Sequence, residues 1–263
     1  MKYLFAILYL IITSSLIFGQ SHKTTDHHLM KHEPGESVAS GLYTLEEAAK
    51  EQIMFSGTTT HFSTAIFQLE ILSKKDGKQQ LRLEEEQILI IREGEAMVSM
   101  GRENKTIGPK SVFFLLPGEE GTIASSTSDV SYYRMIYKAV NPTNPAKINR
   151  DISSFIIDYD DLDFNQSSKG GVRKYFNTST AMCPYYEMHV TTLNPGMKSH
   201  EQHTHEAAEI ILMIEGQTEE EIGDKSYRGR SGDAYFLASN VPHAIKNVGD
   251  KPCQYFAFQW GAK

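Results

Sequence analysis

The chain has 263 residues, of which 40% are hydrophobic and 22% are charged. This composition is typical of a folded globular protein with one large domain or two of ordinary size. The formal net charge is -7, and no basic stretch is long enough to bind a phosphate backbone, so nucleic acid is excluded as a partner.

Residues 1–19 are predicted to be a signal peptide. Lys2 supplies a positive charge, residues 3–12 form an apolar run, and residues 13–19 continue it. We expect cleavage after Gly19 and export to the periplasm or the extracellular space, with no membrane contact after cleavage. An N-terminal membrane anchor is the alternative, but the apolar run is short for a span and no basic residues follow closely.

Residues 20–40 are predicted to be a flexible polar tail. The segment is rich in histidine, with His22, His27, His28 and His32. A histidine-rich tract can bind metal, but we interpret this one as a solvated linker.

From there, the chain shows many short segments rich in β-forming residues, separated by turn signals. The predicted strands of the first half are 66–72, 87–91, 96–100, 111–116 and 132–137. A short helical turn is predicted at 45–50, and a loop at 141–145. Strands resume near Val172 and continue to Trp260. Even spacing of short strands indicates an all-β sandwich or barrel.

The two halves of the chain are related by a constant offset. Shifting residues 209–216 back by 122 positions places them on 87–94, and the same shift places Tyr235 on Phe113 and Tyr255 on Tyr133. We interpret this as two tandem copies of one barrel. The predicted boundaries are 41–140 for a degenerate first barrel, 141–171 for a linker with leading strands, and 172–263 for a second barrel.

The only cysteines are Cys183 and Cys253. Export permits a disulfide, but two cysteines do not make a disulfide scaffold. Whether they pair is left open, because the sequence does not show how close they lie.

The second copy contains four residues suited to binding a metal. His203 and His205 are two positions apart, a spacing that directs both side chains to one face of a strand. Glu209 begins the next strand after a tight turn, and His243 follows later. Three imidazoles and one carboxylate suit one divalent transition metal, namely Mn, Fe, Zn, Ni or Cu.

These residues resemble the conserved motifs of the cupin superfamily. Residues 196–216 are similar to the first motif, G(X)5HXH(X)3,4E(X)6G, with one extra residue before His203. Residues 232–247 are similar to the second, G(X)5PXG(X)2H(X)3N, with Ala238 in place of proline and Asn240 in place of glycine. The resemblance implies two tandem jelly-roll barrels, and it implies that the three histidines and the glutamate bind metal inside the second. Cupins commonly pair through their sheets, so a homodimer is an open alternative.

The first copy lacks these ligands. The constant offset places Leu81 and Leu83 where the second copy has His203 and His205, and it places Gln87 and Gly121 where that copy has Glu209 and His243. We therefore expect a metal-free barrel that packs against the second copy. A metal-independent ligand pocket in the first barrel is the alternative.

Two residues near the predicted ligands are judged by strand parity. Glu201 shares the parity of His203 and His205, which makes it a weak candidate for a catalytic acid or base, although a solvated carboxylate is the simpler interpretation. His200 has the opposite parity and is predicted to point away from the metal.

Further residues are candidates for a substrate pocket. Arg173 suits a substrate carboxylate or a structural ion pair, and Tyr186 and His189 lie on strands expected to line or flank the barrel. Met213 shares parity with Glu209 and is a candidate for an apolar pocket wall. His61, in the first half, is interpreted as structural.

Three functions remain open at this point. The first is an exported metal-dependent enzyme that uses the metal as a Lewis acid on a small carboxylate or carbonyl compound, as an isomerase, lyase or hydrolase. The second is an iron-type dioxygenase. The third is a non-catalytic cupin that binds a sugar or other small molecule or has a structural role.

Overall fold

The computed structural model describes residues 35–141 and 153–261. The predicted signal peptide, residues 20–34 of the predicted tail and most of the predicted loop at 141–145 lie outside these residues. Within the described ranges, no helix is long and apolar enough to span a membrane.

From residue 35 onward, where the described chain begins, the first half contains ten strands and one short helix, α1 (Leu45–Glu51). Each predicted strand of this half overlaps an observed one. The strands are β1 (Gly41–Tyr43), β2 (Ile53–Gly57), β3 (Phe62–Leu72), β4 (Gln79–Leu81), β5 (Glu86–Glu93), β6 (Ala96–Met100), β7 (Glu103–Ile107), β8 (Val112–Leu115), β9 (Gly121–Ser125) and β10 (Val130–Ala139). A 3-10 turn covers Lys74–Asp76.

The second half also contains ten strands in the described residues. They are β11 (Phe155–Ile157), β12 (Asn165–Ser167), β13 (Gly170–Thr178), β14 (Tyr185–Leu193), β15 (Ala208–Glu215), β16 (Gln217–Ile222), β17 (Lys225–Arg230), β18 (Ala234–Leu237), β19 (His243–Asn247) and β20 (Cys253–Gly261). A 3-10 turn covers Tyr159–Asp161.

The strands form four antiparallel sheets, one large and one small sheet for each barrel. The first barrel has a sheet of order β11-β8-β5-β10-β3-β2 and a smaller sheet of order β4-β9-β6-β7. The second has a sheet of order β1-β18-β15-β20-β14-β13-β12 and a smaller sheet of order β17-β16-β19. This architecture confirms the predicted all-β fold of tandem jelly-roll barrels.

The large sheet of each barrel includes one strand from outside the part of the chain that forms that barrel. Near the N-terminal end of the described chain, β1 pairs with β18 of the second barrel, whereas β11, which follows the first barrel, pairs with β8. The two barrels are thus joined by backbone hydrogen bonds as well as by side-chain packing. The domain boundaries given above stay a prediction.

Strand register reproduces most of the internal repeat. Gln87 pairs with Leu115 and Glu209 with Leu237, so both pairs obey the offset of 122. One part of the predicted alignment is wrong. Tyr255 pairs with Met213. The counterpart of Met213 in the first half is Ile91, which pairs with Tyr132 rather than Tyr133. The offset between the two halves therefore increases by one residue before β20.

Buried apolar side chains form three clusters. One lies between the two large sheets, one inside the first barrel and one inside the second. Strand β15 contributes to two of these clusters, because successive side chains on a strand point to opposite faces. Ile210 and Leu212 pack between the barrels, whereas Ile211 and Met213 pack inside the second barrel. A strand buried on both faces is apolar throughout, which explains the unbroken apolar run at this position.

The two cysteines lie in different clusters. Cys183 is buried between the barrels and Cys253 inside the second barrel, and both thiols are free.

Candidate metal centre

The four predicted ligands lie together at one end of the second barrel. Backbone hydrogen bonds in both directions, 3.2 and 3.0 Å long, pair His203 with His243, the first residue of β19. Glu209 is the second residue of β15, and His205 lies in the turn before it. The ring centroid of His243 is 4.7 Å from those of both His203 and His205.

Backbone carbonyls orient two of the histidine rings. Nδ1 of His205 lies 2.8 Å from the Ala207 carbonyl oxygen, and Nδ1 of His243 lies 2.8 Å from that of Val241. A carbonyl oxygen only accepts, so each Nδ1 carries the proton and donates it. The Nε2 lone pairs are then free to bind a metal, which is how metal-binding histidines are usually oriented.

The Nε2 atoms converge on one carboxylate oxygen. Glu209 Oε2 is 3.3 Å from Nε2 of His205 and 3.5 Å from Nε2 of His243. Ligand atoms of these three residues all lie within 4.8 Å of one another, and we call them the inner triad. Nε2 of His243 is buried and has no hydrogen-bond partner within residues 35–141 and 153–261. A cation at this position would satisfy the orphaned nitrogen and neutralise Glu209, so the residues present fit a divalent metal.

Electrostatics favour the metal-binding form of the carboxylate. Burial alone would raise the pKa of Glu209, but the rings of His205 and His243 outweigh it and hold the pKa at about 2. The hydrogen bond to Glu209 in turn raises the pKa of His205. A metal would take the place of the proton that His205 shares with Glu209.

The position of His200 contradicts the sequence prediction. Its ring centroid is 4.0 Å from that of His203, and it forms a second group with His203 and His243 whose ligand atoms all lie within 4.8 Å. We call this group the outer triad. Strand parity failed here because residues 199–202 form bends rather than a strand.

A polar wall lies beside the ligands on the interior face of the second barrel. Glu209 pairs across the sheet with Gln259, which pairs with Glu187 of β14. Glu187 accepts hydrogen bonds from the Tyr185 hydroxyl at 2.6 Å and the Asn177 side-chain amide at 2.9 Å.

Glu187 also orients His189, two residues further along the same face of β14. Nδ1 of His189 is 3.3 Å from Glu187 Oε1, and this interaction lowers the pKa of Glu187. In the sheet, Ala257 stands between His189 and Ile211. The small side chain of alanine leaves space in front of the imidazole.

Sequence reasoning missed Glu220, a carboxyl group inside the second barrel. Glu220 lies on β16 opposite Ile245, is fully buried, and has no hydrogen-bond partner for either carboxylate oxygen. Burial, followed by the charge of Glu209, raises its pKa well above the usual value. The acidic run 219–221 is typical of a solvated strand, and only the alternation of buried residues at 218, 220 and 222 signals the interior position.

Other predicted pocket residues lie elsewhere. Tyr186 is fully buried in the cluster between the barrels, because even-numbered residues of β14 face away from the metal. Arg173 donates a hydrogen bond to the Leu162 carbonyl oxygen and stacks over Tyr159, with 4.8 Å between the guanidinium carbon and the ring centroid. The structure therefore does not bring Tyr186 or Arg173 together with the histidines.

The remaining candidates have clear environments. Met213 is buried inside the second barrel, where its sulfur accepts a hydrogen bond from the Thr218 hydroxyl at 3.1 Å. The side chain of Glu201 is 96% exposed and lies 3.9 Å from the Lys198 ammonium, as expected for a solvated carboxylate. His61 of the first barrel lies with Nε2 3.2 Å from the Glu206 carbonyl oxygen and supports the turn between His205 and Glu209.

A different polar network occupies the corresponding end of the first barrel. Arg134 donates two hydrogen bonds to Gln87 Oε1, from Nε at 3.1 Å and Nη2 at 2.6 Å, and pairs with Glu70 at 3.2 Å. Gly121 pairs with Leu81 in the same register in which His243 pairs with His203.

Comparisons with known proteins agree with this architecture. A cupin domain model matches residues 189–258. Protein SchB of Streptomyces halstedii is 26% identical over 95 residues, which cover 36% of this chain and 69% of SchB.

Solved structures resemble the chain over most of its length. A putative glyoxylate-induced protein from Pseudomonas aeruginosa matches with a TM-score of 0.62 and 12% identity, over 93% of this chain and 94% of that one. The oxalate decarboxylase of Bacillus subtilis, which has Mn(II) centres, matches with a TM-score of 0.57 and 12% identity, over 87% of this chain and 79% of that one. At these identities the likeness shows the fold alone. Residues 189–258 thus match a cupin domain, and the chain as a whole has the tandem-barrel fold of these solved structures.

Proposed function

We propose that this chain is an exported bicupin enzyme that uses one divalent metal in its second barrel as a Lewis acid on a small carboxylate or carbonyl compound. The observation that carries the proposal is the inner triad, in which the Nε2 atoms of His205 and His243 converge on the ionised Glu209 carboxylate and Nε2 of His243 is buried without a hydrogen-bond partner among the described residues. The Mn(II) centres of an oxalate decarboxylase with the same fold support a metal at this position.

Four residues would hold the metal, namely His203, His205, Glu209 and His243. A bound metal polarises a carbonyl or carboxylate oxygen and stabilises the negative charge that develops on it. Three or four protein ligands leave at least one position open for substrate on a five- or six-coordinate metal.

His189 is the residue best placed to move a proton. Its Nδ1 faces the Glu187 carboxylate, which fixes the ring and leaves Nε2 to take or give a proton. Glu187 itself is held by Tyr185 and Asn177, so the imidazole is oriented by a rigid carboxylate. His189 lies on the interior face of β14, the same face as Glu187, and pairs with the small residue Ala257.

The side chains around the site favour a small anionic substrate. Lys174 pairs with His189 across β13 and β14, and its charge contributes to the low pKa of Glu187. A substrate carboxylate thus has two cationic partners, the metal at one end and the lysine at the rim. Isomerisation, elimination and hydrolysis all fit a Lewis acid paired with an oriented base.

The first experiment measures the metal content of the chain from Gln20 onward, purified without a tag, by mass spectrometry. We expect about one equivalent of manganese, zinc or nickel, and turnover in a screen of keto acids, uronates and ureides. His205→Ala serves as the metal-free control and His189→Asn as the variant that keeps the metal but loses the base. One equivalent of iron together with oxygen uptake would reassign the protein as a dioxygenase. Failure to bind metal even after reconstitution would leave a non-catalytic binding or structural role.

A further inference from the structure

The segment that precedes His203 is one residue longer than the cupin motif, and His200 lies within it. The extra residue breaks strand geometry between 199 and 202, where the chain forms bends. As a result, the His200 ring turns toward the site and lies with its centroid 6.0 Å from that of His243.

Contacts on both sides of His200 fix the position of this segment. The Ser199 amide donates to the Ile245 carbonyl oxygen at 3.0 Å, and the Ser199 carbonyl accepts from the Lys169 ammonium at 2.7 Å. The side-chain amide of Gln202 donates to the Gly223 carbonyl oxygen at 3.1 Å. The segment is therefore held against the two strands that carry and flank His243.

The His200 ring has the same orientation pattern as the predicted ligands. Its Nδ1 lies 3.0 Å from the Glu201 carbonyl oxygen, so this nitrogen donates and Nε2 keeps its lone pair. Ligand atoms of His200, His203 and His243 lie within 4.8 Å of one another. Two adjacent ligands at about 2.1 Å from a five- or six-coordinate metal are about 3.0 Å apart, so the exposed His200 ring would have to rotate toward the other ligands to bind.

We propose that His200 is a fifth metal ligand, which joins the site from the outer triad and occupies a coordination position that the other four residues leave open. The proposal rests on the metal site of the proposed function. A fourth imidazole favours the borderline divalent metals, Zn, Ni, Cu and Fe, over oxygen-preferring ions. His200 is exposed, whereas Glu209 and His243 are buried, so its ring would leave the site without moving those two residues.

The test compares His200→Ala with Glu201→Ala in the full chain. Glu201 is the adjacent residue, and its exposed side chain contacts none of the five ligands, which makes it a matched control for changes in this segment. A variant with both His203→Ala and His205→Ala gives the baseline for metal held by the N-terminal histidines. Metal affinity is measured by competition with a chromophoric chelator, and the number of coordinated imidazoles by pulsed EPR of the protein with one equivalent of Cu(II).

We expect His200→Ala to lose at least about tenfold in affinity, the lower end of the loss seen when a residue that supports a metal ligand is removed, and to lose one coordinated imidazole. Glu201→Ala should match the wild type in both measurements. Equal affinity and an equal imidazole count in the two variants would overturn the proposal and leave the four-residue site intact. A lower affinity with an unchanged imidazole count would also overturn it, because His200 would then act only through the segment. No binding above the baseline in the wild type would defeat the proposed function as well.

Discussion

A buried carboxyl group between the two barrels gives a quantitative prediction about stability. Glu86, the first residue of β5, is fully buried and accepts hydrogen bonds from the Thr180 hydroxyl at 2.7 Å and the Met182 amide at 3.0 Å. These contacts hold the segment that leads into β14, the strand that carries Glu187 and His189. Burial is the main cause that raises the pKa of Glu86 to about 7.

The magnitude follows from the difference between the folded and unfolded pKa values. Glu86 keeps its proton in the folded protein up to about pH 7, whereas the unfolded chain loses it near pH 4.5. The folded state thus binds more protons between these values, so the free energy of unfolding falls as pH rises through this window and stays low above it. A difference of about 2.5 in pKa, at about 1.4 kcal/mol per unit, gives about 3.5 kcal/mol.

Urea unfolding at pH 5 to 8 tests this value. Across this range, we expect the free energy of unfolding of the wild type to fall by about 2 to 3 kcal/mol more than that of Glu86→Gln, which has no charge to bury. Glu84→Gln, a change at an exposed neighbour, should leave the wild-type slope unchanged. Equal slopes in the wild type and Glu86→Gln would refute the reasoning, since they would show that the ionised carboxylate is solvated or compensated in the folded protein.

Three further variants test the second barrel and its relation to the first. His203→Ala combined with His205→Ala should remove the bound metal while circular dichroism shows an unchanged fold; stoichiometric metal in this variant would disprove the assigned site. Glu220→Met, a swap of similar volume, should raise the free energy of unfolding by about 1 to 3 kcal/mol, because it removes a buried carboxyl group without a partner; a loss of stability would show that the carboxyl has one. Leu83→His should bind no metal in the first barrel, because the other three ligands are absent there, and metal gained in a titration would show that the two halves are aligned incorrectly.

The sequence was sufficient to predict that these four side chains lie together, because the repeat and the motif fix strand register. Gly121 pairs with Leu81 and Met100 in the first barrel as His243 pairs with His203 and Ile222 in the second. The offset found in the sequence therefore also relates the strand pairings of the two barrels in the structure. It fails only by one residue at β20, where the shift assigns side chains to the wrong face of the strand and Tyr255 was matched to Tyr133 instead of Tyr132.

The wall of the site was harder to predict because both faces of β14 are covered. The even-numbered residues Tyr186 and Met188 are apolar, and the odd-numbered Glu187 and His189 are polar. In a single barrel, the apolar face would be expected to line the interior. Here the apolar face packs against the other barrel, and the polar face lines the interior beside the predicted metal ligands. The usual inference, that the apolar side chains of an alternating strand face the barrel interior, is therefore reversed.

The outward-facing apolar side chains of the second barrel explain the role of the first barrel. A metal site needs polar residues inside the second barrel, and these contribute little to its core. The even-numbered residues of the same strands recover apolar burial by packing on the first barrel, where Trp260 stacks on Phe62 with 5.0 Å between ring centroids. The first barrel has Leu81, Leu83 and Gly121 in place of ligands, yet it still packs against the back of β14 and β15, which carry His189 and Glu209. A cavity-forming change such as Phe62→Ala, which removes the stacking contact with Trp260, should for this reason weaken metal binding as well as destabilise the fold.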